Sequence, residues 1–311
     1  MGAAIPASDL VELALGCGLD DAAATPAFPV PVDAADLRQR LSAYPPELSY
    51  LARGLAKRLD PSLVLPGVRT VIAACMAYGG PHPGVASRPS GTGFVSRFAW
   101  CPDYHRPVGD AVARFAAGIE ARTGARTRAY VDTGPVLEKA YAAAAGLGFI
   151  GRHGLLVHPR FGSFVFLGVL LTDALVVPDI ARPALPGCGA CTACVAACPT
   201  GALRTPYRLD VDRCLAHLTV TAKTPLPGGL PLAGNLYGCD ICQDVCPFNR
   251  GAEHPDHPAF RPLPGLPFVP PEDVLAMDAA AFTARFGATP ARRRGLPGMA
   301  AIAQRLIEEG A

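Results

Sequence analysis

The chain has 311 residues, 50% of them hydrophobic and 17% charged, with 33 glycines, 33 prolines and a formal net charge of +2. That length holds two domains, or one large domain with an appendage, and the composition excludes a disordered or fibrous chain. A near-balanced charge neither demands nor excludes a nucleic-acid partner, because a local basic patch counts for more than the sum. The first ten residues, Met1 to Leu10, carry no Lys or Arg ahead of their apolar positions, and Asp9 and Glu12 interrupt the run, so neither a Sec nor a twin-arginine signal is read there. The longest apolar run, Phe164 to Val177, is broken by Thr172 and Asp173 and is too short to span a bilayer. The expectation is a cytoplasmic protein whose thiols stay reduced.

In chain order, Ser8 to about Arg58 reads as helices, with Leu10, Leu13 and Ala14 and then Leu37, Leu41, Leu48, Leu51, Leu55 and Leu59 at helical spacing and a Pro-rich break from Ala27 to Pro31. Gly67 to Ala77 follows a Pro66-Gly67 turn signal as a short apolar run and predicts a buried strand. Gly79 to Gly93 is a long Gly/Pro/Ser-rich loop of the kind that more often carries function than not. A helix is expected from about Pro107 to Thr123, a short strand from Arg128 to Asp132, and an Ala-rich helix ending at Gly146-Leu-Gly148. Asp132 itself reads most simply as the N-cap of that helix, with Pro135 in its first turn. Gly162 to Thr172 is a second long strand, and alternating helices and strands up to about residue 180 argue for an α/β layer domain. No dinucleotide glycine fingerprint and no phosphate loop is present.

Eight of the eleven cysteines lie between Cys188 and Cys246. Cys188, Cys191, Cys194 and Cys198-Pro199 form C-x2-C-x2-C-x3-C-P, the bacterial two-cluster ferredoxin run, and Cys214, Cys239, Cys242 and Cys246-Pro247 repeat it with the first gap stretched. In such runs the fourth cysteine serves the other cluster. The ligand sets are therefore Cys188, Cys191, Cys194 and Cys246 for one [4Fe–4S] cluster, and Cys214, Cys239, Cys242 and Cys198 for the second. Disulfides do not suit a chain without a secretory signal, and zinc knuckles lack the third cysteine and the C-P ending. Of the other cysteines, Cys75 reads as core.

The cysteine run is preceded by more specific stretches: Ser96-Arg-Phe-Ala-Trp100 with Asp103-Tyr-His105, Val131-Asp-Thr-Gly-Pro135, Ala145 to Arg152, and Phe161 to Gly168. With Ala202 to Leu209 and Asn235 to Arg250, the chain from about Ser49 to Arg250 resembles epoxyqueuosine reductases. The resemblance implies a cobalamin-binding α/β reductase-like domain at 1–180, a ferredoxin-like two-cluster domain at 181–255, and a linker with a short helical segment at 256–311. It implies reduction of epoxyqueuosine to queuosine at the tRNA wobble position, with electrons passing from an external flavodoxin or ferredoxin through the clusters to cobalamin. The resemblance implies a tRNA with a GUN anticodon as partner and a monomeric protein, and no membrane is expected to be involved.

By the same resemblance Asp132 is the proton donor and Tyr104 and His105 line the substrate side. A carboxyl enclosed by a corrin and a substrate loses solvation, which suits a donor, while a helix N-terminus opposes it. The stretches matching corrin contacts contain Arg53, Ser96, Arg97, Asp132, His153, Leu156, His158, Ser163, Ala216 and Asp240, and Ala216 stands where the family carries a hydroxyl. Arg292-Arg293-Arg294-Gly295 matches a family Arg-Arg-x-Gly segment, and its basic cluster reads equally as a solvated helix start or a phosphate contact. Two other readings use the same residues: a corrinoid reductive dehalogenase, in which Tyr104 would give the proton, and a ferredoxin-type electron carrier with no chemistry of its own.

Overall fold

The computed structural model describes residues 4–28, 32–178, 180, 182, 185–204 and 207–310. Residues 1–3 of the N-terminal segment, 29–31 of the Pro-rich break, 179, 181, 183 and 184 around the expected division, 205 and 206 ahead of Cys214, and 311 lie outside the described residues. Among the described residues no helix is long and apolar enough to cross a membrane.

The N-terminal half is built on four strands, β1 (Asp21–Pro26), β2 (Thr70–Ala77), β3 (Thr127–Tyr130) and β4 (Val165–Thr172), in the order β1-β2-β4-β3 with every neighbour antiparallel. The two apolar runs expected as strands are its central pair, in register from Thr70 opposite Thr172 to Ala77 opposite Val165. β1 corrects the helical reading of Ser8 to about Arg58. Its alanines favour helix in isolation, but Asp21 to Pro26 pair in register with Cys75 back to Thr70 of β2, and tertiary pairing overrides so weak a preference.

Because side chains alternate along a strand, β2 serves two cores. Ile72, Ala74 and Met76 point to α1 (Ala7–Gly16) and α2 (His105–Thr123), packing with Leu10, Val112, Phe115 and Ile119. Val71, Ala73, Cys75 and Ala77 point to the other face, against Tyr141 and Ala142 of α3 (Glu138–Ala144) together with Leu147 and Phe161. All eight residues of β2 are buried, so the sheet lies between two helical layers, the α/β layering that the sequence implies.

A third core belongs to the C-terminal half. Gly93–Val95 pairs with Asn235–Tyr237 on one side and with Phe268–Val269 on the other. Phe94, Val95 and Trp100 from the first half, Leu215, Leu218 and Leu236 from the cysteine-bearing segment, and Phe286, Met299, Ile302 and Leu306 from the C-terminal helices share one buried cluster. The segment expected as a linker and helical tail thus supplies a strand and much of the apolar filling beneath the cysteine segment.

Candidate active site

A cavity of about 440 Å³ opens where the N-terminal sheet faces the cysteine-bearing segment. Tyr78, Val165, Phe166 and Leu167 form its sheet side; Cys198, Cys214, Cys239 and Cys242, with Ala216 and Asp240, form the opposite side. The other four cysteines of the run, Cys188, Cys191, Cys194 and Cys246, line a separate small recess with Pro247 and Phe248. The fold therefore groups the eight thiols four and four, each set taking its fourth member from the other run. Burial pushes the Cys239 and Cys242 thiols up, so metal binding there has to displace protons.

The carboxyl of Asp132 stands at the cavity edge, with 43% of its side chain exposed. The Tyr104 hydroxyl donates a short hydrogen bond to Asp132 Oδ2, and His105 Nε2 lies 3.5 Å from the same oxygen. Burial, reinforced by the neighbouring Asp132 charge, drives the Tyr104 phenol upward and keeps it protonated. Its ring stacks on Phe166 at 3.9 Å and on His105 at 4.3 Å, and Phe166 stacks in turn on Tyr78 at 4.1 Å. That column of rings fixes the hydroxyl that faces Asp132. Behind it, Asp103 Oδ1 lies 2.7 Å from His105 Nδ1 and accepts its N–H, leaving Nε2 toward Asp132. Burial pushes Asp103 up, but the His105 hydrogen bonds and the charges of His105 and Arg293 outweigh it and hold the carboxyl below its usual range. Arg292 and Arg293 each approach Asp103 Oδ2 at 3.4 Å.

On the cysteine side, Asp240 is 1% exposed and tied to the first half of the chain. It accepts hydrogen bonds from Ser96 Oγ at 2.5 Å and from the Arg97 N–H at 2.7 Å, and Arg97 Nη1 pairs closely with Asp244. Burial pushes Asp240 up to about 6, against the hydrogen bonds and charge that lower it. A second knot joins Ser163 to Asn249: the Ser163 N–H donates to Asn249 Oδ1 at 2.7 Å, and Asn249 Nδ2 donates to Ser163 Oγ at 2.9 Å and to the Gln243 carbonyl at 2.7 Å.

Two family models match the chain: one described as epoxyqueuosine reductase QueG, DUF1730, over residues 58–133, and one described as a 4Fe-4S double cluster binding domain over residues 187–249. An epoxyqueuosine reductase of Pseudomonas aeruginosa is 38% identical over 273 residues, covering 84% of this chain and 74% of that protein. The chain belongs to the epoxyqueuosine reductase family. A Salmonella typhimurium member is 39% identical over 228 residues, 72% of this chain, and the match spans 59% of that longer protein. A crystal structure of an epoxyqueuosine reductase with an epoxyqueuosine-modified tRNA-Tyr stem loop superposes with a TM-score of 0.80 at 30% identity, over 95% of this chain and 79% of that one. As a member of this family the chain is an oxidoreductase with an α/β fold and a double 4Fe–4S cluster domain.

Of the residues expected at the site from the family resemblance, Ser96, Tyr104, Asp132, His153, Leu156, Ser163, Ala216 and Asp240 line the cavity. His105 lies beside Asp132, and Arg97 is buried behind the wall with its guanidinium 4.4 Å over the Phe164 ring. Arg53 and His158 do not line it. Arg53 ends the short helix Tyr50–Arg53 with Nη1 3.4 Å from Ser49 Oγ, and His158 is 1% exposed with Nε2 3.1 Å from Asp21 Oδ2, a structural pair within the sheet domain. Asp132 is not a helix cap: α3 begins only at Glu138, and Asp132 sits beyond the end of β3 at φ 56°. Tyr78, Glu138, Lys139 and Gln243 also line the cavity, and sequence reasoning did not single them out. Tyr78 had one signal, an aromatic at the mouth of a buried strand; the others look like ordinary helix positions. Arg292 and Arg293 are drawn in toward the site, whereas Arg294 turns away to the Ala222 carbonyl.

Proposed function

We propose that the protein reduces epoxyqueuosine to queuosine in tRNA, with cobalamin seated in the cavity and two [4Fe–4S] clusters held by the two sets of thiols. The observation that carries this reading is one apolar cavity with four grouped thiols on one side and the Tyr104–Asp132–His105 group at its edge. The residues present fit a flat macrocycle. The lining is mainly apolar, and His153 Nε2 is shut off from solvent with no partner among the described residues. His153 Nδ1 accepts the Leu155 N–H at 3.2 Å, so Nε2 carries the hydrogen and is free to donate to an amide oxygen at a corrin edge. Burial, with the Lys139 charge behind it, pulls this imidazole down to about 4 and keeps it neutral. His153, Ser163 and the residues about Asp240 would hold the cofactor, which supplies a strong reductant for the epoxide carbon.

Removing an epoxide oxygen as water takes two electrons and two protons. In this reading Cys188, Cys191, Cys194 and Cys246 hold the outer cluster, and Cys198, Cys214, Cys239 and Cys242 the cluster that faces the cavity. Asp132 gives its proton to the departing oxygen, and Tyr104 aims the carboxyl. His105, its Nδ1–H held by Asp103 and its Nε2 3.5 Å from the Asp132 carboxyl, would take a proton from solvent at Nε2 and pass it on to Asp132. Arg292 and Arg293, half exposed beside Asp103, are placed for a phosphate of the nucleic acid. An external one-electron donor recharges the outer cluster.

The test is anaerobic reconstitution with iron, sulfide and cobalamin, quantitation of iron and cobalt, and conversion of epoxyqueuosine-containing tRNA followed by nucleoside mass spectrometry. Asp132→Asn should keep iron and cobalt at wild-type levels and lower turnover by about 10²- to 10⁴-fold, the usual contribution of a positioned proton donor. Undiminished turnover in that variant would remove Asp132 as the acid, and a protein that keeps iron but no cobalt would remove the cofactor assignment.

A further inference from the structure

The hairpin of Phe149–Ile150 and Leu156–Val157 puts its tip between the two groups of thiols, where His153 lines both the cavity and the recess. The Gly151 N–H on the Leu155 carbonyl and the Gly154 N–H on the Gly151 carbonyl, both at 2.8 Å, close its turn. Its foot is pinned where Phe149 meets the Phe248 ring edge to face at 5.1 Å. Arg152, next to His153 at the tip, is tied to the cysteine segment by backbone and side chain alike. Its N–H donates to Cys188 Sγ at 3.3 Å, its carbonyl accepts the Tyr207 N–H at 3.1 Å, and Nη2 donates to the Gly189 carbonyl at 2.7 Å. The guanidinium lies 5.9 Å from the centre of the Tyr207 ring.

An N–H aimed at a ligating sulfur and a nearby positive charge both favour the reduced, more negative form of an iron–sulfur cluster. The charge of Arg152 is held by a carbonyl and a ring, its Nε is closed to solvent with no partner among the described residues, and residues 185–209 contain no Asp or Glu. A charge partly withdrawn from water is screened less than one on the open surface. Cys198 Sγ, in the other set, meets Thr200 Oγ1 of its own loop at 3.7 Å instead. We propose that Arg152 sets the reduction potential of the outer cluster, raising it with an amide N–H on Cys188 and a guanidinium fixed at Gly189, so that the external one-electron donor can load it. Each loading oxidises the donor by one electron and reduces the cluster by one. Arg152 acts through a cluster ligand and touches no substrate, which makes it a positioning residue. The inference rests on the reading of Cys188, Cys191, Cys194 and Cys246 as one cluster's ligands, and its signal does not depend on turnover.

That signal is an EPR-monitored redox titration of the reconstituted holoprotein, compared for wild type, Arg152→Met, Arg152→Gln and Arg152→Lys. The outer cluster's spectrum is the one that Cys198→Ala retains. Arg152→Met and Arg152→Gln, which lose the charge, should lower the ratio of reduced to oxidised outer cluster by about tenfold at a given solution potential, a drop of about 59 mV for one electron. Arg152→Lys keeps the charge and should keep most of the wild-type potential. The cluster facing the cavity should move far less in all three. An outer cluster at its wild-type potential in both Arg152→Met and Arg152→Gln would overturn the proposal. So would an equal drop in both clusters, the mark of a loosened segment, or a fall in Arg152→Lys as large as in Arg152→Met, which would take the charge out of the account. If Arg152→Met holds only about four irons, one cluster's worth, Arg152→Gln decides, because it keeps an N–H for the Gly189 carbonyl. A wild-type protein that converts no epoxyqueuosine yet shows these shifts would sink the functional reading and leave the role of Arg152 standing.

Discussion

Replacing Gly162 by alanine should loosen the seam between the sheet domain and the cysteine segment, and the structure gives the size of the effect. Gly162 has φ 66°, and a Cβ there would overlap Asn249 Oδ1. Holding alanine in the left-handed region costs about 1 kcal/mol. To make room the Asn249 side chain has to leave, and with it go the hydrogen bonds to the Ser163 N–H, Ser163 Oγ and the Gln243 carbonyl. At about 1 kcal/mol each that adds about 3 kcal/mol, giving a total of about 4 kcal/mol. In a chain of this size each kcal/mol moves the thermal midpoint by about 2 °C, so Gly162→Ala should melt about 8 °C below wild type at equal iron loading and scan rate. Asn249→Ala alone should lose the hydrogen-bond share, about 3 kcal/mol, and adding Gly162→Ala to it should cost only about 1 kcal/mol more. The double-mutant cycle should therefore show a coupling of about 3 kcal/mol. A Gly162→Ala protein that melts with wild type, or a double variant as low as the two single losses added together, would refute the account of this seam.

The grouping of thiols predicts which cluster each cysteine serves: Cys246→Ala should abolish the cluster of the recess and Cys198→Ala the one facing the cavity. Each should bring bound iron from about eight to about four per chain, with different residual EPR signals. Identical residual spectra would contradict the crossed assignment. Acid stability should depend on Asp21, where burial raises the carboxyl but hydrogen bonds from His158 and Arg182 overcome it and hold it at about 2. A depressed folded-state value contributes stability that is present above the unfolded value of 3.8 and is lost as pH falls toward 2. Wild type should thus lose about 2 kcal/mol across that window relative to Asp21→Asn in pH-dependent unfolding, and parallel profiles for the two proteins would remove this carboxyl from the account.

Local spacing made much of this molecule readable. The cysteine run carries its meaning in a few residues because a cubane needs thiolates converging from one loop, and Thr70 to Ala77 and Val165 to Thr172 announce themselves as long apolar runs buried on both faces. What stayed illegible depends on contacts made far along the chain. Asp132 looks like a cap because aspartate is common at helix starts; its actual segment is tied from Arg58, far back in the chain, and no local pattern marks that residue. Arg292 and Arg293 reach Asp103 across about 190 positions, so their sequence shows charge but not place. His158 looked like a site residue by its neighbours, yet Asp21, on a strand that reads as helix, holds it in the wall of the sheet domain.

The cluster segment shares its apolar filling with Phe94, Val95 and Trp100 before it and with Phe286, Met299, Ile302 and Leu306 after it. It is consequently no detachable cassette. Small ferredoxins that travel between partners carry their own interior, whereas here a fragment cut at the ends of the cysteine run would expose Leu215, Leu218 and Leu236 to water. Swapping in a cluster segment from another protein would therefore require moving both flanks as well.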